Sequence, residues 1–177
     1  MIATSIGNFR VSARRYAEAE AVVGGPCERC GGQGVAPMSR PGEIPRYARC
    51  RCQRPVDQAR AFNCACIPAK YARYQLDDWK PMDKGGSRIL EAVLRWVEEV
   101  ETTAELAGVP ILLLSGPPGV GKTHLAIGIL QRLLLEGRRA GPPLTARFLE
   151  PNLLIQNYKA EKEPLKLGKL LDAEVVV

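Results

Sequence analysis

The sequence predicts an α/β chain: a parallel sheet covered by helices, preceded by a small cysteine-rich module. Three observations carry this expectation. In the second half, short continuous apolar runs alternate with helical periodicity, the pattern of strands buried between helices. All six cysteines lie between residues 27 and 66. That stretch is also rich in Gly, Pro and Arg and shows no sustained period of 2 or 3.6. It has too few apolar residues for a core and needs a covalent or metal staple.

With 177 residues, 46% hydrophobic and 25% charged, the chain has a globular balance and room for one domain plus an appendage. Aromatics are only 6%, so a large core must be aliphatic. No apolar run approaches the roughly 18–20 residues needed to span a bilayer, which excludes a transmembrane helix and a membrane partner of that kind. Residues 1–23 lack the apolar core and cleavage site of a secretory signal. Arg10, Arg14 and Arg15 faintly suggest a transit peptide, but Glu18 and Glu20 follow at once, and the expected location is the cytoplasm. The net charge of +6 sits entirely in the first half: residues 1–80 carry 13 Lys and Arg against 7 Asp and Glu, and residues 81–177 carry 12 of each. Such a half suits an acidic partner such as nucleic acid, or simply a solubilising surface.

Taken in order, residues 1–23 read as an N-terminal helical segment around Val11–Val22, ended by Gly24-Gly25-Pro26. Residues 24–66 are the cysteine module. Residues 67–86, with Pro68, Pro81 and Gly85-Gly86, read as an extended linker. From 87 to 177 the pattern is regular. Ile89, Leu90, Val93, Leu94, Trp96, Val97 and Val100 fall at helical spacing, with Ser87 as N-cap and Gly108 as stop. Pro110–Ser115 reads as a buried strand, Thr123–Glu136 as an apolar helix ending at Gly137, and Ala146–Leu149 as a second strand. A helix is expected near Asn152–Lys159, and a third strand opens at Glu174.

Gly116-Pro117-Pro118-Gly119-Val120-Gly121-Lys122-Thr123 fits G-x-x-x-x-G-K-[ST] at every fixed position. The glycines let the backbone turn tightly and aim N–H groups at phosphate oxygens, and the helix that opens here adds its positive end. Lys122 is expected at the β- and γ-phosphates and the Thr123 hydroxyl on Mg²⁺. The motif follows a predicted strand and opens a predicted helix, the context that supports ATP binding. His124, the only histidine, is grouped with these loop residues as cofactor-binding and reads as a first-turn residue packed beside the loop.

Reduced thiols in a cytosolic chain favour metal over disulfide. Cys27-x2-Cys30-Gly31-Gly32-Gln33-Gly34 has the form of a zinc knuckle, and a second pair about 20 residues on completes a four-sulfur site. Cys50 and Cys52 are the natural second pair, although C-x-C is tighter than C-x2-C. Cys64 and Cys66 could replace them, extend the site or be small buried thiols; the spacing favours Cys27, Cys30, Cys50 and Cys52. A closed site of this kind is structural, and it would present Arg40, Arg46, Arg49, Arg51 and Arg54 to DNA, to a protein or to water.

The knuckle, Ala48-Arg49-Cys50-Arg51-Cys52, Ile67-Pro68-Ala69-Lys70-Tyr71, Leu76-Asp77-Asp78-Trp79 and the loop followed by His124-Leu125-Ala126 together resemble DnaC/DnaI-type helicase loaders. Ala146–Glu150 with Leu153-Leu154 is similar to that family's second strand and following helix. These loaders are AAA+ P-loop ATPases related to the IstB transposition helpers, which generally lack the cysteine module. The resemblance implies an ATP-controlled protein, with self-association through the AAA+ domain, that engages a hexameric replicative helicase through its N-terminal region and helps place it on single-stranded DNA. It also implies that residues near Tyr74 and Leu76 lie close to the adenine. In the family, the strand that ends here as Val175-Val176-Val177 runs on into the acidic pair that holds Mg²⁺ and orients the attacking water. Asp172 precedes the apolar run and does not substitute, so no catalytic residue is assigned. The expectation is an N-terminal piece of a longer protein, or a truncated gene product, that binds ATP without turning it over. Two other readings are an IstB-like helper and a non-catalytic zinc module with a vestigial loop.

Overall fold

The computed structural model describes residues 4–6, 8–13, 16–22, 26–39, 44, 46–102, 112–137, 144–149 and 175–176. Strands β1 (Thr4–Ile6), β2 (Phe9–Ala13) and β3 (Ala17–Ala21) form an antiparallel sheet in that order, with Ile6 opposite Phe9 and Phe9 opposite Ala21. The helix expected around Val11–Val22 is therefore replaced by strands. The Ala-Glu-Ala-Glu-Ala run of β3 has high helix propensity, but its period of two places the alanines on one face, where a helix would scatter them. Phe9, Val11, Ala17 and Ala19 are buried, while Arg10 and Glu20 face water.

Helix α1 (Arg54–Cys64), with proline in its first turn, packs Ala59 and Phe62 into the same core as the sheet. Val56, Ala59 and Phe62 are its apolar stripe, too short and too diluted by polar residues to stand out in the sequence. Asn63 accepts a hydrogen bond from Ala19 N–H at 2.7 Å and donates to Ala19 O at 3.1 Å, which covers the outer edge of β3.

The expected linker is packed rather than extended. Ile67 is fully buried, and its carbonyl accepts from Ala17 N–H at 2.8 Å. Short 3-10 turns at Ala69–Tyr71 and Leu76–Asp78 follow, with Ala72 and Leu76 buried. Helix α2 (Lys84–Thr102) then begins three residues before Ser87. The Asp83 carboxylate accepts from Gly86 N–H at 2.7 Å and takes the N-cap role expected of Ser87. Gly85 and Gly86, read as linker residues, lie inside the first turn. Gly108 is outside the described residues.

Helix α3 (Lys122–Leu135) stands where a helix over Thr123–Glu136 is expected. It is buried nearly all round, and Leu125, Ile127, Ile129, Leu130, Leu133, Leu134 and Leu135 join the main core. Each such side chain contributes about 1.5–3 kcal/mol by leaving water. Strands β6 (Ala146–Arg147) and β7 (Val175–Val176) pair in parallel, Ala146 opposite Val175. This is the one parallel pairing among the described residues. Leu112–Ser115 joins no sheet among them, and the helix expected near Asn152–Lys159 lies outside them. What is present is a mixed α/β chain with small, mostly antiparallel sheets. No helix among the described residues is long and apolar enough to cross a membrane.

A smaller core belongs to the cysteine module. Hairpin β4 (Val35–Pro37) and β5 (Tyr47–Arg49) turns Ala36 inward beside Cys30 and Cys50.

Candidate nucleotide loop and cysteine centre

The loop 116–121 leads into α3 through Gly121, whose φ of 90° ends the turn in a left-handed conformation. A side chain there would be strained, and a Cβ would also lie 2.5 Å from Trp79 Nε1. Glycine is thus demanded twice at this position. Lys122 folds back across the loop and donates to Gly116 O and Pro117 O, both at 2.8 Å. Gly116, Pro117, Pro118, Gly119 and Val120 are exposed, as is Thr123 at the second helical position. A cleft of about 440 Å³ opens beside them, lined by Trp79, Gly86, Ile89, Leu113, Gly116 and Lys122.

One face of α3 is given to the segment 71–79. His124 Nε2 is 2.9 Å from Gln75 O, and because a carbonyl only accepts, that nitrogen carries the proton. The imidazole stacks on Tyr74 with ring centroids 4.6 Å apart and planes 21° apart. At Gly128 a Cβ would stand 2.7 Å from Leu76 N, so backbone meets backbone. Gln131 is buried and donates to Tyr71 O at 3.0 Å. Gly121, His124, Gly128 and Gln131 recur at intervals of three and four, one stripe of the helix. His124 therefore positions the segment beside the loop with its ring turned to Tyr74 and Gln75. Sequence reasoning missed Trp79 and Gln131. The signals for them were two glycines and two polar residues at helical spacing along an otherwise apolar helix and its N-cap, and the side chains of Ile67, Tyr71, Tyr74, Leu76 and Trp79 in a supposed linker.

The four expected cysteines converge. Cys27 Sγ and Cys50 Sγ are 3.8 Å apart, Cys30 Sγ and Cys52 Sγ are 3.5 Å apart, and all four sulfurs lie within 4.8 Å of one another. Four sulfurs bonded to one zinc at about 2.3 Å stand about 3.8 Å apart, so this spacing fits a tetrahedral thiolate site. The Cys27–Gly34 turn is held by Gly31 N–H on Cys27 O at 2.7 Å and by Cys50 N–H on Gly34 O at 2.8 Å. Burial raises the Cys30 thiol, but hydrogen bonds, first of all from Gly34 N–H, outweigh it and bring the thiol down to about 7. Burial and then the Cys30 contact push Cys52 up to about 12. A cation in the centre would displace the protons that these sulfurs otherwise share.

Cys64 and Cys66 are not part of this cluster. Cys64 is exposed at the end of α1, and Cys66 has a φ of 57°. Arg147 donates to Cys64 O at 2.9 Å and lies 3.9 Å from Cys66 Sγ, fastening β6 to the end of α1. Of the expected arginines, Arg46 and Arg51 are exposed, Arg49 pairs with Asp57, Arg54 is half-buried, and Arg40 lies outside the described residues.

No protein-family model and no solved structure matches the chain. Among curated proteins it matches replicative helicase loaders named DnaC, from Escherichia coli K12 and from Shigella flexneri, each 27% identical over 113 residues. The chain is distantly similar to DnaC. That match takes in 64% of this chain and only 44% of DnaC's own length. A Lon protease 2 from Desulfotalea psychrophila is 26% identical over 153 residues, which are 74% of this chain and 19% of the protease.

Proposed function

We propose that this chain is the nucleotide-binding part of a helicase-loader-type AAA+ protein of DNA replication. ATP with Mg²⁺ would bind at residues 116–123, with zinc held by Cys27, Cys30, Cys50 and Cys52. The observation that carries the reading is the loop. A fully matching G-x-x-x-x-G-K-[ST] segment, with left-handed glycines, opens a long buried helix beside a cleft. Its backbone N–H groups and the positive end of α3 suit a triphosphate, Lys122 supplies the compensating charge, and the Thr123 hydroxyl suits the metal ion. Residues 112–115, β6 and β7 would be strands of the parallel P-loop sheet. The distant similarity to DnaC supports the choice of a loader within the many uses of this loop.

The zinc would be structural. Four thiolates leave no open coordination position, and the module has only a minimal apolar core of its own. Its exposed Arg46 and Arg51 suit an acidic partner surface, and single-stranded DNA and self-association belong to the same proposal. The test is co-elution of the purified chain with the hexameric replicative helicase of the same cell, with and without Mg-ATP. Co-elution in at least one nucleotide state is expected, and its absence in both would contradict the loader reading.

A further inference from the structure

We infer that Gln53 is a positioning residue of the cysteine centre: its carboxamide gives the Cys52 sulfur the N–H bond that the tight Cys50-Arg51-Cys52 turn does not supply from the backbone. The inference rests on the zinc reading above.

Four thiolates around a dication leave excess negative charge on sulfur, and N–H groups aimed at the sulfurs spread it. The two cysteine pairs differ in how they obtain such groups. After Cys27-x2-Cys30 the glycine-rich chain doubles back, and Gly34 N–H reaches Cys30 Sγ at 3.4 Å. The second pair is one residue shorter and runs straight into the 3-10 turn Arg51–Gln53 and then α1. The amides that follow it are engaged elsewhere: Gln53 N–H donates to Cys50 O at 3.0 Å, and Arg54 N–H donates to Arg51 O. No backbone N–H reaches Cys52 Sγ among the described residues, and Gln53 Nε2 stands 3.7 Å from it.

The same carboxamide is held from its other side by Gly34. A Cβ at Gly34 would lie 3.0 Å from Gln53 Cδ and from Nε2, and the φ of 76° there already disfavours a side chain. The glycine that serves Cys30 thus makes room for the amide that serves Cys52, and the two ligand loops are clasped together. This explains how a C-x-C pair can complete a site normally built from two C-x2-C knuckles.

The test loads the full chain with zinc or cobalt(II) and compares wild type with Gln53→Met and Gln53→Glu. Methionine keeps the length and the packing on Gly34 without an N–H group; glutamate turns an oxygen towards the thiolate. Both variants are expected to keep the far-ultraviolet circular dichroism of the wild type. Both should lose zinc to a chelator about 10–100-fold faster, and the sulfur-to-cobalt charge-transfer band should shift. Release and spectrum unchanged in Gln53→Met would overturn the inference, as would an effect confined to Gln53→Glu, where charge alone is at work. A wild-type chain that takes up neither metal would instead refute the zinc reading on which the inference stands.

Discussion

Glu136 shows how one side chain reports on its surroundings. It follows the last turn of α3, where the helix end disfavours negative charge, and burial raises its carboxyl above the ordinary range. Arg132, 3.4 Å away, pulls the other way, and the Glu101 carboxylate that the same arginine holds at 3.1 Å adds to the rise. A carboxyl raised on folding favours the folded state while protonated, and that contribution is lost as pH climbs through the raised value. At pH 7 the ionised form is therefore a net cost. The Glu136 side chain is more than half exposed, so solvent screening keeps the effect small: Glu136→Gln should stabilise the chain by about 0.2–0.5 kcal/mol at pH 7, with the gain vanishing below the carboxylate range. Urea denaturation at pH 7 and pH 3 reads the difference; equal gains at both would show that the carboxyl is not perturbed in this way.

At the scale of elements, the contact between α3 and the segment 71–79 brings backbone against backbone at Gly128 and Leu76. Gly128→Ala drives a methyl group into the Leu76 backbone, which has no rotamer with which to give way. It should cost about 1–3 kcal/mol and expose Tyr74 and Trp79, seen as a lower thermal midpoint and red-shifted tryptophan emission. An unchanged midpoint would mean that the segment is not seated there. The sequence made α2 and α3 legible because their apolar spacing is long and regular. It also made the Cys27, Cys30, Cys50 and Cys52 set legible, because ligand spacing needs no tertiary context. It did not make β2 and β3 legible, since Ala and Glu favour helix and only contact with Phe62 and Ala59 makes their alternation decisive. The packed segment 67–80 was obscured by Pro68 and Pro81, which read as a linker although Ile67 and Leu76 are buried. Asp83 as cap of α2 was hidden by the two glycines that follow it.

Across the whole molecule, the buried side chains of the described residues gather into two cores. The sheet β1–β3, α1, the segment 67–79 and α3 share one apolar core, while the cysteine module has its own, built around Cys30, Ala36 and Cys50. The first presents the loop at the start of a helix packed on several sides; the second depends on its sulfurs. The central claim, that residues 116–123 bind a nucleoside triphosphate, is tested most directly by calorimetric titration of Mg-ATP into the wild-type chain and into Lys122→Ala. The account predicts saturable one-site binding by the wild type and a loss of at least about tenfold in affinity, worth about 1.4 kcal/mol, in the variant. Equal affinity in both, or no heat of binding in the wild type, would contradict it.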